Sequence, residues 1–250
     1  MENSSLKASW LGSFFVALSI VLASMFLSGA WKQTHPTGEY VIDVTGLASQ
    51  DFESDLIVWS GAFAQKAMTM KDAYEGVKKN AEAVKNYLIG KGVKSEDFTF
   101  SAVDIKRETK AIRNDKGVVT GEEFDGFTLS QSVRIESHEV NKIESISREV
   151  TELIDQGVEF YSNAPNYYYT KLADLKIKML AAATADARTR AEKIATGAHG
   201  SLGRLKTAEM GVFQITGQNS SEDYTYGGAF NTTSKMKTAS ITVKLAFEVD

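Results

Sequence analysis

Three histidines, His35, His138 and His199, are the residues whose spacing most directly tests for metal or acid–base chemistry. No two of them stand at the i, i+2 or i, i+4 separation that converges on one ion. The chain has no cysteine, which excludes thiolate zinc sites, iron–sulfur ligation, disulfides and thiol nucleophiles together. His199 lies in Gly197-Ala-His-Gly200-Ser-Leu-Gly203, a glycine-rich stretch with a superficial likeness to a phosphate cradle. It follows a helical pattern instead of a strand and lacks the Gly-Lys-Ser/Thr ending, so it reads as a helix C-cap and a turn. There is no G-x-S-x-G elbow for a serine nucleophile. Glu122-Glu-Phe-Asp125 with Asp115 could gather carboxylates around calcium, but the spacing departs from the EF-hand loop, and a solvated hairpin tip is expected. Among 32 acidic residues no pair is singled out for general acid–base work. The expectation is a protein that is not an enzyme and carries no cofactor or metal.

The aromatic run Asn166-Tyr167-Tyr168-Tyr169 is the most unusual local feature. Tyrosines combine large contact area with a hydroxyl, so Tyr167, Tyr168 and Tyr169 are candidates for a partner surface or ligand platform. The competing expectation is a strand with Tyr167 and Tyr169 on one face and Tyr168 on the other. Asn219-Ser-Ser and Asn231-Thr-Thr fit the short glycosylation acceptor pattern, which has consequences only in a eukaryotic secretory route.

The 250-residue chain is 43% hydrophobic and 24% charged, a globular balance. Its net charge of −4 leaves no excess of Lys and Arg to neutralise a phosphate backbone, which argues against a nucleic-acid partner. The first segment is different. No charged residue occurs from Ala8 to Trp31. Trp10, Leu11, Phe14, Phe15, Val16, Leu18, Ile20, Val21, Leu22, Met25, Phe26, Leu27 and Trp31 form its apolar body. Trp10 and Trp31 would stand about 31 Å apart on a helix, close to the hydrocarbon thickness, with one tryptophan at each interface. A retained membrane anchor over residues 1–31 is expected, lipid being its partner. A cleaved signal peptide with Ser28-Gly29-Ala30 at the cut is the alternative. N-terminus inside is the expected orientation, from Lys7 and the terminal amine. Residues 32–38, with Pro36 and Gly38, read as a linker, and 39–250 as one α+β domain of antiparallel strands against about three amphipathic helices.

Strands are expected over Tyr40–Thr45, Asp55–Ala64, Phe98–Val103, Ile105–Arg113, Gly126–Ile135, Val158–Tyr161, Leu202–Val212 and Thr238–Val249. A first helix is expected to place Ala73, Val77, Ala81, Val84 and Leu88 on one face behind a Thr69/Asp72 capping box. A second follows Ser137 with Ile143, Ile146, Val150 and Leu153, stopping at Gly157. The longest spans about Leu172 to Thr196 with Leu172, Leu175, Met179, Ala183, Ala187, Ala191 and Ile194 as its stripe. Gly92-Val93 after the first helix and Gly157-Val158 after the second rhyme, which suits two helix-and-sheet halves sharing a core. Gly217 to Gly228 has no apolar periodicity and reads as an excursion that is mobile or contacts a partner.

Ala185-Asp-Ala-Arg-Thr-Arg-Ala-Glu192, followed by Gly197, Gly200, Leu202-Gly203 and a final alternating strand, resembles the SIMPL-domain family, the YggE-like bacterial envelope proteins. Val44-Thr-Gly46, Asp55, Gly92-Val93, Asp97 and Gly126-Phe127 fall in the order the likeness requires, and it covers roughly residues 40 to 249. The resemblance implies a periplasmic or surface-associated α+β domain of the bacterial envelope; with the expected anchor, the expected location is the inner membrane with the domain in the periplasm. It also implies assembly into rings in some relatives, links to envelope integrity and stress tolerance, and no catalytic residues to transfer. The polar excursion Gln218–Ser234 replaces a proline-glycine turn common before the last strand. The expected function is a non-catalytic, membrane-anchored homo-oligomer or scaffold for an envelope protein. An exported soluble module binding a small ligand or peptide is the alternative, and a hydrolase the third.

Overall fold

The computed structural model describes residue 14, residues 16–28 and residues 40–249. Residues 16–28 are helical and exposed. Among the described residues no helix is long and apolar enough to cross a membrane. The expected span over residues 8–31 lies partly outside them, as do Trp10, Leu11, Phe15, Trp31, the 32–38 linker and His35.

The remainder is α+β. The strands are β1 Val41–Glu53, β2 Leu56–Ala67, β3 Phe98–Phe100, β4 Asp104–Arg113, β5 Val119–Ser137, β6 Phe160–Ser162, β7 Asn166–Tyr168, β8 Leu202–Met210, β9 Gln214–Gly217 and β10 Met236–Val249. The helices are α1 Met70–Gly90, α2 Val140–Glu149 running on as a 3-10 turn to Gln156, and α3 Leu172–Gly197. One sheet has the order β1-β10-β8 with β9 on β10, the other β3-β5-β2-β6 with β4 on β5 and β7 on β2. The chain divides into two compact units, one of Leu47–Ala185 with Met210–Val243, the other of the described residues of Met1–Gly46, Asp186–Glu209 and Lys244–Asp250.

In the larger unit β2 and β5 pair antiparallel from Ile57↔Ser137 to Ala67↔Phe127, with β3 on β5 and β6 on β2. Read as β2-α1-β3 and β5-α2-β6, this is a split βαβ unit used twice, the ferredoxin-like arrangement. The rhyme in the sequence has a geometric counterpart. Gly92 (φ 81°) and Gly157 (φ 79°) both end a helix in the left-handed region. Val93 N–H bonds Leu88 O at 2.9 Å, and Val158 N–H bonds Leu153 O at 3.0 Å, the same 6→1 closure. Thr69 Oγ1 accepts the Asp72 N–H at 3.2 Å, capping α1 as the sequence suggests. Trp59, Phe63, Val77, Leu88, Leu129, Ile143 and Leu153 are fully buried between the helices and this sheet.

Several expected boundaries change. Asn80, not Ala81, is the buried residue between Val77 and Val84, because a 3.6-residue period favours the three-residue step there. β1 runs on past the expected end at Thr45 to Glu53, with Ala48 and Phe52 buried. The expected Phe98–Val103 strand stops at Phe100. Glu122-Glu-Phe-Asp125 is not a hairpin tip: it lies inside β5, paired with β4 through Lys110↔Glu123 and Ala111↔Glu122, and the turn is 114–118. Cross-strand bonds from Lys110 to Glu123 (3.2 Å) and Thr109 to Glu122 (3.0 Å) make carboxylates good strand residues here. β9 was not expected.

In the smaller unit Val249 N–H bonds Tyr40 O at 2.9 Å. A Cβ on Gly203 would come 3.0 Å from Glu248 Cβ, so glycine permits that close strand approach. Ile194 is 51% exposed and Ala195 takes its place in the buried stripe at 1%.

Candidate functional site

The residues of the excursion are held down by polar side chains from the strands around it. Gln214, at the start of β9, is 8% exposed. Its amide oxygen accepts the Ala229 N–H at 2.5 Å and the Thr225 N–H at 3.4 Å, and its amide nitrogen donates to Thr225 O at 2.9 Å. Ser240 on β10 donates to the Tyr224 hydroxyl at 3.2 Å. Glu222 accepts from Gly217 N–H at 2.8 Å and from the Asn231 amide, which together hold its carboxyl below the usual range.

Lys237, 2% exposed, closes this network. Its ammonium donates to Asn231 O at 2.7 Å and to Asn231 Oδ1 at 3.3 Å. Burial pushes the amine down to about 8, against the pull of the Glu222 charge. Aromatic and apolar side chains surround it: Phe52, Tyr167, Tyr168, Tyr169, Leu172, Ile215 and Phe230. The space left among them is about 10 Å³, room for one water at most, so Lys237 is best read as a pin that ties the excursion to β10.

Beside the pin, Leu47, Val212, Gln214, Tyr224, Thr225, Tyr226, Ser240, Ile241 and Thr242 line a cleft of about 310 Å³. Tyr226 is fully exposed and Tyr224 largely so.

Tyr167 and Tyr168 lie in strand β7 with Tyr169 just after it, and each candidate partner residue has a definite place. Tyr167 packs in the core, its N–H on Thr232 O at 2.7 Å, and burial pushes its phenol up, helped by Glu144. Tyr168 pairs with Leu56 on β2, and Tyr169 packs its ring 4.8 Å from Phe52. Asp55 secures the same segment: Thr170 donates to its carboxylate through N–H and hydroxyl, each at 2.7 Å, and His138 Nδ1 meets the Asp55 carbonyl at 2.7 Å. His199 sits at φ 63° after α3, with Gly200 N–H on Ala195 O at 2.9 Å and His199 N–H on Thr196 O at 3.1 Å. The helix cap is as expected, but the left-handed residue is His199 where glycine is usual. Of the residues expected to form an anchor, Phe14, Val16, Leu18, Ile20, Val21, Leu22, Met25, Phe26 and Leu27 are exposed on a helix. Among the described residues no group of three or more His, Cys, Asp or Glu side chains could hold a metal ion.

The third feature is the β4–β5 ribbon. Gly126 (φ 103°) marks a register shift between Arg107↔Phe127 and Thr109↔Phe124. A Cβ there would lie 2.7 Å from Ala67 O. Beyond this bulge the two strands pair only with each other, exposing Ile112 (43%), Val118 (58%) and Val119 (50%).

These features define a mixed α+β protein built on a duplicated split βαβ sheet, with a pinned excursion and a protruding ribbon. The chain belongs to the SIMPL family: the family described as a protein of unknown function (DUF541) matches residues 42–248. No curated protein matches it. The sequence feature most specific to the resemblance is structural here. Ala187 and Ala191 are buried, while Arg190–Asp186 and Arg188–Glu192, each at 2.9 Å, brace the outer face of α3.

Proposed function

We propose that this protein is a non-catalytic component of the bacterial envelope, held in the inner membrane by residues 8–31 with its folded part in the periplasm, and that it self-associates through the β4–β5 ribbon. The observation that carries the reading is the ribbon beyond Gly126. A two-stranded hairpin alone is marginally stable in water, and one that exposes Ile112, Val118 and Val119 gains by burying them against another surface. Lys110–Glu123 at its side is a solvated pair that would flank such a contact. A role in envelope integrity or stress tolerance follows from the family resemblance.

Light scattering on the detergent-extracted full chain tests the association. A multimeric particle is expected, reduced to the monomer by Ile112→Lys with Val119→Lys, with circular dichroism unchanged. A wild-type monomer, or a variant of unaltered mass, overturns it. For the anchor, mass spectrometry of membrane-bound protein should return a polypeptide beginning at Met1. Intact chain recovered from the soluble cytosolic fraction would sink that part.

A further inference from the structure

We propose that the cleft between the excursion and β10 is a binding site for a small, neutral aromatic molecule. Its volume of about 310 Å³ falls at the lower end of the range typical of small-molecule sites. Leu47, Val212 and Ile241 supply apolar lining, and Tyr224 and Tyr226 add two aromatic side chains to it.

Three observations narrow the occupant. Among the described residues that line the cleft none is charged, the polar ones being neutral hydroxyls and the Gln214 amide. A charged ligand would shed its hydration there without a partner to replace it, so a neutral one is favoured. Secondly, the loop is set before any ligand arrives. Gln214 ties Thr225 and Ala229 on either side of Tyr226, and Gly228 at φ 93° lets the backbone pass where a Cβ would lie 2.8 Å from Phe213 O. A pinned loop costs little further ordering on binding. Thirdly, Tyr224 and Tyr226 both line the cleft and keep most of their surface exposed. Two tyrosine rings favour an offset or edge-to-face aromatic partner over a branched aliphatic one.

The test uses the full chain in lipid nanodiscs, labelled with 3-fluorotyrosine and read by fluorine NMR, the Tyr224 and Tyr226 signals being assigned by Tyr→Phe substitutions. Phenol is the probe, with benzoate and benzylamine as charged analogues of similar size and N-acetyl-tyrosine amide as a peptide mimic. Phenol is expected to shift both signals saturably, to bind about ten-fold or more tightly than either charged analogue, and to lose its effect in Leu47→Trp, which puts a larger side chain in the lining. No saturable shift, equal affinity for benzoate or benzylamine, a response only to the peptide mimic, or an unaffected Leu47→Trp variant each overturns the proposal. Because the ribbon is not part of the cleft, the light-scattering result above stands or falls separately.

Discussion

His199 occupies a left-handed position that costs an L-residue about 1–2 kcal/mol and that glycine fills at most helix ends of this kind. The side chain is exposed, so His199→Gly should raise stability by about 0.5–1 kcal/mol after the extra chain entropy of glycine is counted, measured by urea denaturation. Gly126 is the converse. Gly126→Ala forces a Cβ to 2.7 Å from Ala67 O at positive φ and should cost about 2 kcal/mol or more. Gly121→Ala in the same ribbon, with nothing closer than 3.9 Å, should cost little. Lys237 makes a pH-dependent prediction. Its amine is lowered from 10.5 to about 8 in the folded protein, so between those values the unfolded chain binds more protons and stability rises with pH. Below pH 8 the cost of burying the ammonium is fully present. Denaturation midpoints at pH 7.5, 8.5 and 9.5 should climb in the wild type and not in Lys237→Met. Tyr87 and Tyr167, whose phenols burial pushes up from 10.0, begin to oppose this climb only near its upper end, where an unfolded tyrosine starts to ionise.

At the level of elements, α3 shows what periodicity conveys and where it misleads. Leu175, Met179, Ala183, Ala187, Ala191 and Ala195 are buried and each lies four residues from the last. Four residues turn about 40° more than a full revolution, so the buried line winds around the helix, and a stripe drawn with a three-residue final step lands on the exposed Ile194. Ala187→Leu should therefore cost about 1–3 kcal/mol by overpacking, whereas Ile194→Ala should stay within about 0.5 kcal/mol; the two thermal midpoints decide it. The long amphipathic helices and the alternating β10 were legible because each repeats a burial pattern over many residues. β9 was not, since Gln214-Ile-Thr-Gly217 is too short to show alternation and its most buried polar residue, Gln214, is there to bond the excursion. The acidic stretch of β5 was misread because its partners Thr109 and Lys110 lie across the hairpin, beyond any local window.

For the molecule as a whole, the cleft could not be read from the chain because its lining comes from three separated stretches, Leu47, 212–226 and 240–242. The duplicated core could be partly read, because the helices of its two halves end in the same Gly-Val sequence. That duplication makes a claim about cooperativity in the larger unit. Central strands β2 and β5 pair along eleven positions, and each belongs to a different half, so neither βαβ half can open without breaking the ladder of the other. Leu88 and Leu153 accept equivalent cap bonds and are both fully buried. Leu88→Ala and Leu153→Ala should each remove about 2–5 kcal/mol. Hydrogen exchange should show that loss spread equally over the amides of α1, β3, α2 and β6. If Leu153→Ala loosened only α2 and β6 while α1 and β3 kept their protection, the halves would be independent folding units and the shared core an accident of packing.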